Sequence, residues 1–208
     1  MKILLVSLAR RGGMVHYFIE HANSLSALLQ VYAITSTDVP MGALDPKINH
    51  FQIDTGKKKI GTLLNAVNPS IYSQLASIVS SIKPDLVHLT ASHEWNPLVA
   101  WLLRKSLKLP LVYTVFDPTP HEGTPLYLLI PEMLVRKIPD AYVVQTQQLK
   151  DDFVSKGFSS QKTHIIQLGA YSSITQWHHK DITEKNEILF FGRLDLHKGL
   201  DILLKAAP

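Results

Sequence analysis

The sequence contains no cysteine, so neither a disulfide framework nor a thiolate metal site is available to it. It also lacks any run of about eighteen apolar residues free of charge and proline, and no membrane-spanning helix is expected. The apolar start from Met1 to Leu8 is too short for the core of a secretion signal and has no small-residue cleavage site behind it. It reads instead as a first strand. Dense basic patches interleaved with aromatics are missing as well: the net charge of +4 is spread over Arg10-Arg11, Lys57 to Lys59, Arg104-Lys105 and Arg136-Lys137. That argues against a nucleic-acid partner and suits an anionic small ligand or a membrane surface. What is present is 46% hydrophobic residues in 208, enough for one full α/β domain and a remnant of another.

Apolar strand-like runs alternate with segments of helical period, the pattern of βαβ units and a doubly wound parallel sheet. The expected strands are residues 2–8, 30–35, 50–53, 86–90, 111–116, 141–144 and 164–168. Between them, Val15, Phe18, Ile19, Ala22, Leu25, Leu28 and Leu29 repeat at helical spacing, and further helices are expected near 70–82, 97–107, 126–138 and 147–156. The stretch from Tyr171 to Lys185 is polar and aperiodic and reads as a linker. Residues 187–206 then give one apolar strand, Ile188 to Phe191, a short loop and a helix. They are read as the opening βα unit of a second, truncated domain, because a first parallel strand has no partner within a dozen or so residues.

Five pieces now stand in order: Gly12-Gly13 after the first strand, Lys83 to His88, Tyr113 to His121, Ala141 to Thr146, and Phe191 to Gly199 with its Gly-Arg and Lys-Gly. Together they resemble the GT-B glycosyltransferases of the family 4 type, which transfer sugar from a nucleotide-sugar with retained configuration. The resemblance implies two facing Rossmann-like domains. Residues 1–170 would be the acceptor-side N-terminal domain, 171–185 the linker, and 186–208 the start of the donor-binding domain. It further implies a nucleotide-sugar as co-substrate, no cofactor or metal, a sugar or lipid-linked acceptor, and work in the cytoplasm, peripherally at the inner face of a membrane. On this reading the chain by itself turns over no nucleotide-sugar.

In a parallel α/β sheet, ligands bind outside the carboxyl ends of the strands, and every candidate lies on a loop there. Gly12 and Gly13 allow backbone N–H groups and the positive helix end to approach a phosphate, or they serve a tight strand-to-helix turn. Arg193 and Lys198 would, by the resemblance, stabilise a departing diphosphate; read alone they are ordinary surface charge. Asp117 and His121 follow the fifth strand as catalytic candidates. The family shows a histidine immediately before this aspartate, whereas this chain has Phe116, which cannot hydrogen-bond a sugar hydroxyl. His93 and Glu94 are acceptor-site candidates and a possible general-base pair. His178-His179 lacks further ligands for a metal, and His88, inside an apolar strand, reads as a satisfied core histidine. Leu126 to Ile138 is apolar on nearly every face and ends in Arg136-Lys137. It is either a helix touching a bilayer with both cations at headgroups, or a core helix whose basic pair complements its dipole. The alternatives to a transferase are a non-catalytic binding module of the same fold and a nucleotide-sugar epimerase.

Overall fold

The structure, a computed structural model, describes residues 1–10, 12–39, 41–56, 59–120, 124–171, 186–191 and 198–206. Seven strands form one sheet: β1 (Lys2–Ser7), β2 (Gln30–Ser36), β3 (Asn49–Ile53), β4 (Leu86–Leu89), β5 (Leu111–Thr114), β6 (Ala141–Val144) and β7 (Thr163–Ile165). All neighbours pair in parallel, in the order β3-β2-β1-β4-β5-β6-β7. The order reverses between β1 and β4, so the loops leaving these two strands diverge and open a crevice at their carboxyl ends.

The alternation of side chains along β1 assigns the two faces. Ile3 and Leu5 pack with Val15, Phe18, Ile19 and Ala22 of α1 (Gly13–Ser26). Leu4 and Val6 pack with the opposite layer, which draws on α3 (Pro69–Ile82), α4 (Asn96–Trp101), α5 (Leu126–Val135) and α6 (Gln147–Ser155). Local chemistry marks the helix ends. Asn68 accepts from the Ser70 N–H ahead of Pro69, Thr146 accepts from the Leu149 N–H, and Lys83 closes α3 at φ 52.

The seven expected strands and five expected helices are all present, with several differences. Helix α2 (Lys59–Ala66) fills a stretch for which no element was expected. The strand expected at Ile188 to Phe191 does not form: these residues have no ladder, and Ile188, Leu189 and Phe191 are 79%, 86% and 92% exposed. A strand without a neighbour has no partner for its backbone groups and gains nothing from alternating its side chains. The helix after it, α7 (Leu200–Ala206), does form. Beyond Trp101 the α4 ladder widens to a π turn over Leu102–Ser106, closed by the Leu107 N–H on the Leu102 carbonyl at 2.9 Å. No described helix is long and apolar enough to cross a membrane.

Candidate active site

The loop after β1 brings Arg10 to the crevice, where its guanidinium donates to the Gly56 carbonyl and so ties the loops after β1 and β3 together. Gly12 precedes α1 with φ 85 and ψ −169, a region open essentially to glycine alone. The helix start has no side-chain cap and no acidic residue in its first turn, and although the Val15 N–H turns back to the Gly12 carbonyl at 3.0 Å, the positive end of its dipole is uncompensated there. A Cβ built on Gly13 meets nothing within 4 Å. Space inside the protein therefore does not require glycine at that position.

His93 and Glu94 leave β4 on the next loop. The His93 ring is buried, its side chain 6% exposed. Its Nδ1 accepts the Trp95 N–H at 3.2 Å, which leaves the proton on Nε2, 3.8 Å from the Glu94 carboxylate. Burial pulls its pKa down to about 4; Glu94 opposes that fall and the charge of Arg10 adds to it. A neutral imidazole with its proton on Nε2 is a hydrogen-bond donor on the side of Glu94. The loop is held from below. Trp95 Nε1 donates to the Thr62 carbonyl of α2 at 3.0 Å, and buried Asn96 donates to the Ala91 carbonyl at 2.7 Å.

The loop after β5 carries Phe116 and Asp117. Phe116 is half-buried with its ring edge-on to Tyr17 of α1, centroids 5.1 Å apart. Asp117 is exposed, but its backbone is fixed. Arg136 donates Nη2–H to the Asp117 carbonyl at 2.7 Å and Nη1–H to the Pro118 carbonyl at 2.8 Å, while its Nε pairs with Glu132 at 2.9 Å. Glu132 in turn accepts from the buried Tyr113 hydroxyl at 2.6 Å. Arg136 is therefore buried in this network, which corrects the expectation of both cations at headgroups. Only Lys137 of that pair is exposed.

A further group was not read from the sequence. Thr35, Ser7, Thr90 and Thr114 close four adjacent strands, β2, β1, β4 and β5, and each is at most 1% exposed. Ser7 pairs with Thr35, Thr90 donates its N–H to Val6, and Leu89 pairs with Tyr113, so the four hydroxyls run in one row beneath the start of α1. The Thr114 hydroxyl meets His88 Nε2 at 2.8 Å, and His88 Nδ1 meets His21 Nε2 at 3.3 Å. Burial lowers the pKa of both histidines, that of His88 to about 3, and His88 is the satisfied core residue expected. Ser7 Oγ has no partner among the described residues. The signal lay in the sequence as a hydroxyl at, or within two residues of, the end of each of four apolar runs.

The structure thus gathers Arg10, Gly12, Gly13, His93, Glu94 and Asp117 on loops at one edge of the sheet. Lys198 is exposed just before α7. Arg193, His121 and His178-His179 lie outside the described residues.

Comparison with known proteins completes this description. The model of Glycosyltransferase Family 4 matches residues 11–170. An uncharacterized 42.6 kDa protein in the cps region of Klebsiella pneumoniae is 28% identical over 165 residues, which is 70% of this chain and 43% of that protein. Anabaena HepE, solved in complex with UDP and glucose, superposes with a TM-score of 0.61 at 18% identity, covering 82% of this chain and 45% of its own. The UDP-GlcNAc 2-epimerase of Neisseria meningitidis, solved bound to UDP-GlcNAc, gives a TM-score of 0.59 at 13% identity over 79% of this chain and 45% of its own. At such identities the two solved structures share the fold. The chain spans less than half the length of each of these three relatives.

Proposed function

The chain belongs to glycosyltransferase family 4, and on that premise we propose that it serves the transfer of a sugar, with retained configuration, from a nucleotide-sugar to a polysaccharide or lipid-linked acceptor. Residues 1–170 form the acceptor side, 171–185 the linker, and 186–208 belong to the donor-binding side. Gly12 and Gly13 admit a phosphate to the open N-terminus of α1. The Nε2–H of His93 and the carboxylate of Glu94 bind acceptor hydroxyls, and Asp117, with His121 on the same loop, orients the reacting sugar. Arg193 and Lys198 stabilise the charge that gathers on the diphosphate as the sugar–phosphate bond breaks. The nucleotide-sugar is the co-substrate, and the reading includes no metal or cofactor.

The observation that carries this reading is the meeting of Arg10 and His93, from the loops after β1 and β4, beside an uncapped helix start. A cation, a neutral donor and free N–H groups at a strand-order reversal suit a ligand bearing both phosphate and hydroxyls. A second reading, the epimerase, is favoured by the equally close fold of the 2-epimerase. Because the chain by itself is expected to turn over no nucleotide-sugar, the test joins it to the donor-binding domain of a family 4 transferase, supplies a panel of nucleotide-sugars with polysaccharide and lipid-linked acceptors, and follows the products by NMR. A glycosylated acceptor of retained configuration, lost in Arg193→Ala and Lys198→Ala, supports the transferase. An inverted product overturns retention, and a free epimerised nucleotide-sugar formed without acceptor favours the epimerase. Acceptor binding with no turnover of any donor moves the reading to a binding module.

A further inference from the structure

Helix α5 buries only Val135, although its sequence is apolar almost throughout. A helix layered on a sheet normally turns its apolar stripe inward and its polar face to water, as α1 and α3 do here. On α5 the outward face is Leu126, Tyr127, Ile130 and Met133, and the neighbouring α4, packed against it, adds Leu98 and Trp101. These six side chains are 49% to 67% exposed, and together they make an apolar surface on two adjoining helices rather than single scattered residues.

Charge selects the occupant. Lys105 and Lys108 follow α4, Lys137 follows α5, and all three are exposed. The acids nearby are engaged: Glu132 with Tyr113 and Arg136, Asp140 with Arg104 and the Leu111 N–H. A second copy of this surface would set lysines against lysines. An anionic bilayer takes the apolar residues into its interfacial zone, holds Trp101 and Tyr127 at headgroup depth, and pairs the lysines with lipid phosphates. We propose that the outer face of α4 and α5 docks on an anionic lipid bilayer.

The position of this face fits a use for it. Helix α4 begins two residues after Glu94, and α5 follows the loop of Asp117, so docking brings the candidate acceptor loops to the lipid surface. That consequence rests on the acceptor reading above; the docking itself rests on exposure and charge, and the two fail separately.

The experiment mixes the chain with vesicles of phosphatidylcholine, with and without phosphatidylglycerol, and measures flotation at low and high salt alongside tryptophan emission. The expected result is flotation with anionic vesicles only, weakened by salt, with a blue shift that Trp101→Phe diminishes; Trp95 is already buried, and Trp177 lies outside the described residues. Ile130→Glu removes binding. Lys105→Glu and Lys137→Glu each lower the partition about fivefold or more. All four positions are solvent-facing, and unchanged circular dichroism and melting confirm that the variants fold. Absence of flotation at low salt overturns the proposal, as does binding that Ile130→Glu leaves intact. Concentration-dependent dimerisation lost in Ile130→Glu, without vesicle binding, overturns it in favour of a second copy. Loss of sugar transfer in the assay above does not bear on this outcome.

Discussion

Arg136 connects the scaffold to the site, since one guanidinium spans Glu132 on its own helix and the two carbonyls that begin the Asp117 loop. With the Arg136 and Glu132 side chains only 7% and 16% exposed, removing the cation leaves the Glu132 carboxylate without its counter-charge, with only the Tyr113 hydroxyl among these donors, and takes the guanidinium from the Asp117 and Pro118 carbonyls. Arg136→Met should cost about 3–5 kcal/mol in urea unfolding, and Arg136→Lys should recover only part of it because an ammonium cannot span three acceptors in a fixed fork. A change below about 1 kcal/mol would show that the network is dispensable. The buried histidines make a second prediction. His88 and His21 have folded-state pKa values below the unfolded 6.5, His88 at about 3. The unfolded chain therefore binds more protons below pH 6.5, and stability is fully present above that pH and falls as pH falls. The unfolding free energy between pH 7 and pH 5, where most carboxylates stay ionised, should decline as pH falls, His88 contributing a slope approaching roughly 1.4 kcal/mol per pH unit and His21 adding in the same direction. His88→Gln should flatten the curve, and a flat curve in the parent chain would contradict the burial of these rings.

At the scale of elements, the start of α1 separates a backbone need from a ligand need. Gly12 holds a glycine-only conformation, so Gly12→Ala should cost about 1–3 kcal/mol. Gly13 is helical with open space around its Cα, so Gly13→Ala should change stability by less than about 1 kcal/mol. If Gly13→Ala nevertheless weakens nucleotide-sugar binding in calorimetry, the backbone is meeting a ligand there; unchanged binding would assign both glycines to the turn. The elements themselves were largely legible because buried parallel strands are continuous apolar runs and their crossover helices keep a 3.6-residue period. Helix α2 was obscured by Lys57 to Lys59, although Leu64 and Val67 follow Ile60 at helical spacing. The site was legible as loop positions and less so as chemistry. Nothing local in Arg136-Lys137 reveals that one cation turns inward, since its three acceptors lie four to nineteen residues away along the chain. Likewise, the neutral state of His93 comes chiefly from burial by residues distant in the chain, with the Arg10 charge from another loop adding to it.

At the scale of the whole molecule, the strand order and the reversal at β1 and β4 come from packing of distant segments and have no single-residue signature. The same holds for Ile188 to Phe191, where a strand pattern is present but no ladder receives it. Ile188, Leu189 and Phe191 stay in water, and α7 has no buried residue, so this region adds little to the burial that stabilises the sheet. By contrast, Tyr171 still reaches back to His16, ring centroids 6.4 Å apart, at the start of α1. Ending the chain after Thr183 keeps that contact and removes the exposed apolar residues. The shortened protein should melt at the same temperature as the parent and remain soluble at higher concentration, because what is lost is surface that favours association. Scanning calorimetry and light scattering on the two proteins check this. A fall in the melting temperature of more than about 4 °C, the size of roughly 1 kcal/mol or more for a domain of this length, would mean that the last residues pack on the sheet and contribute to its stability.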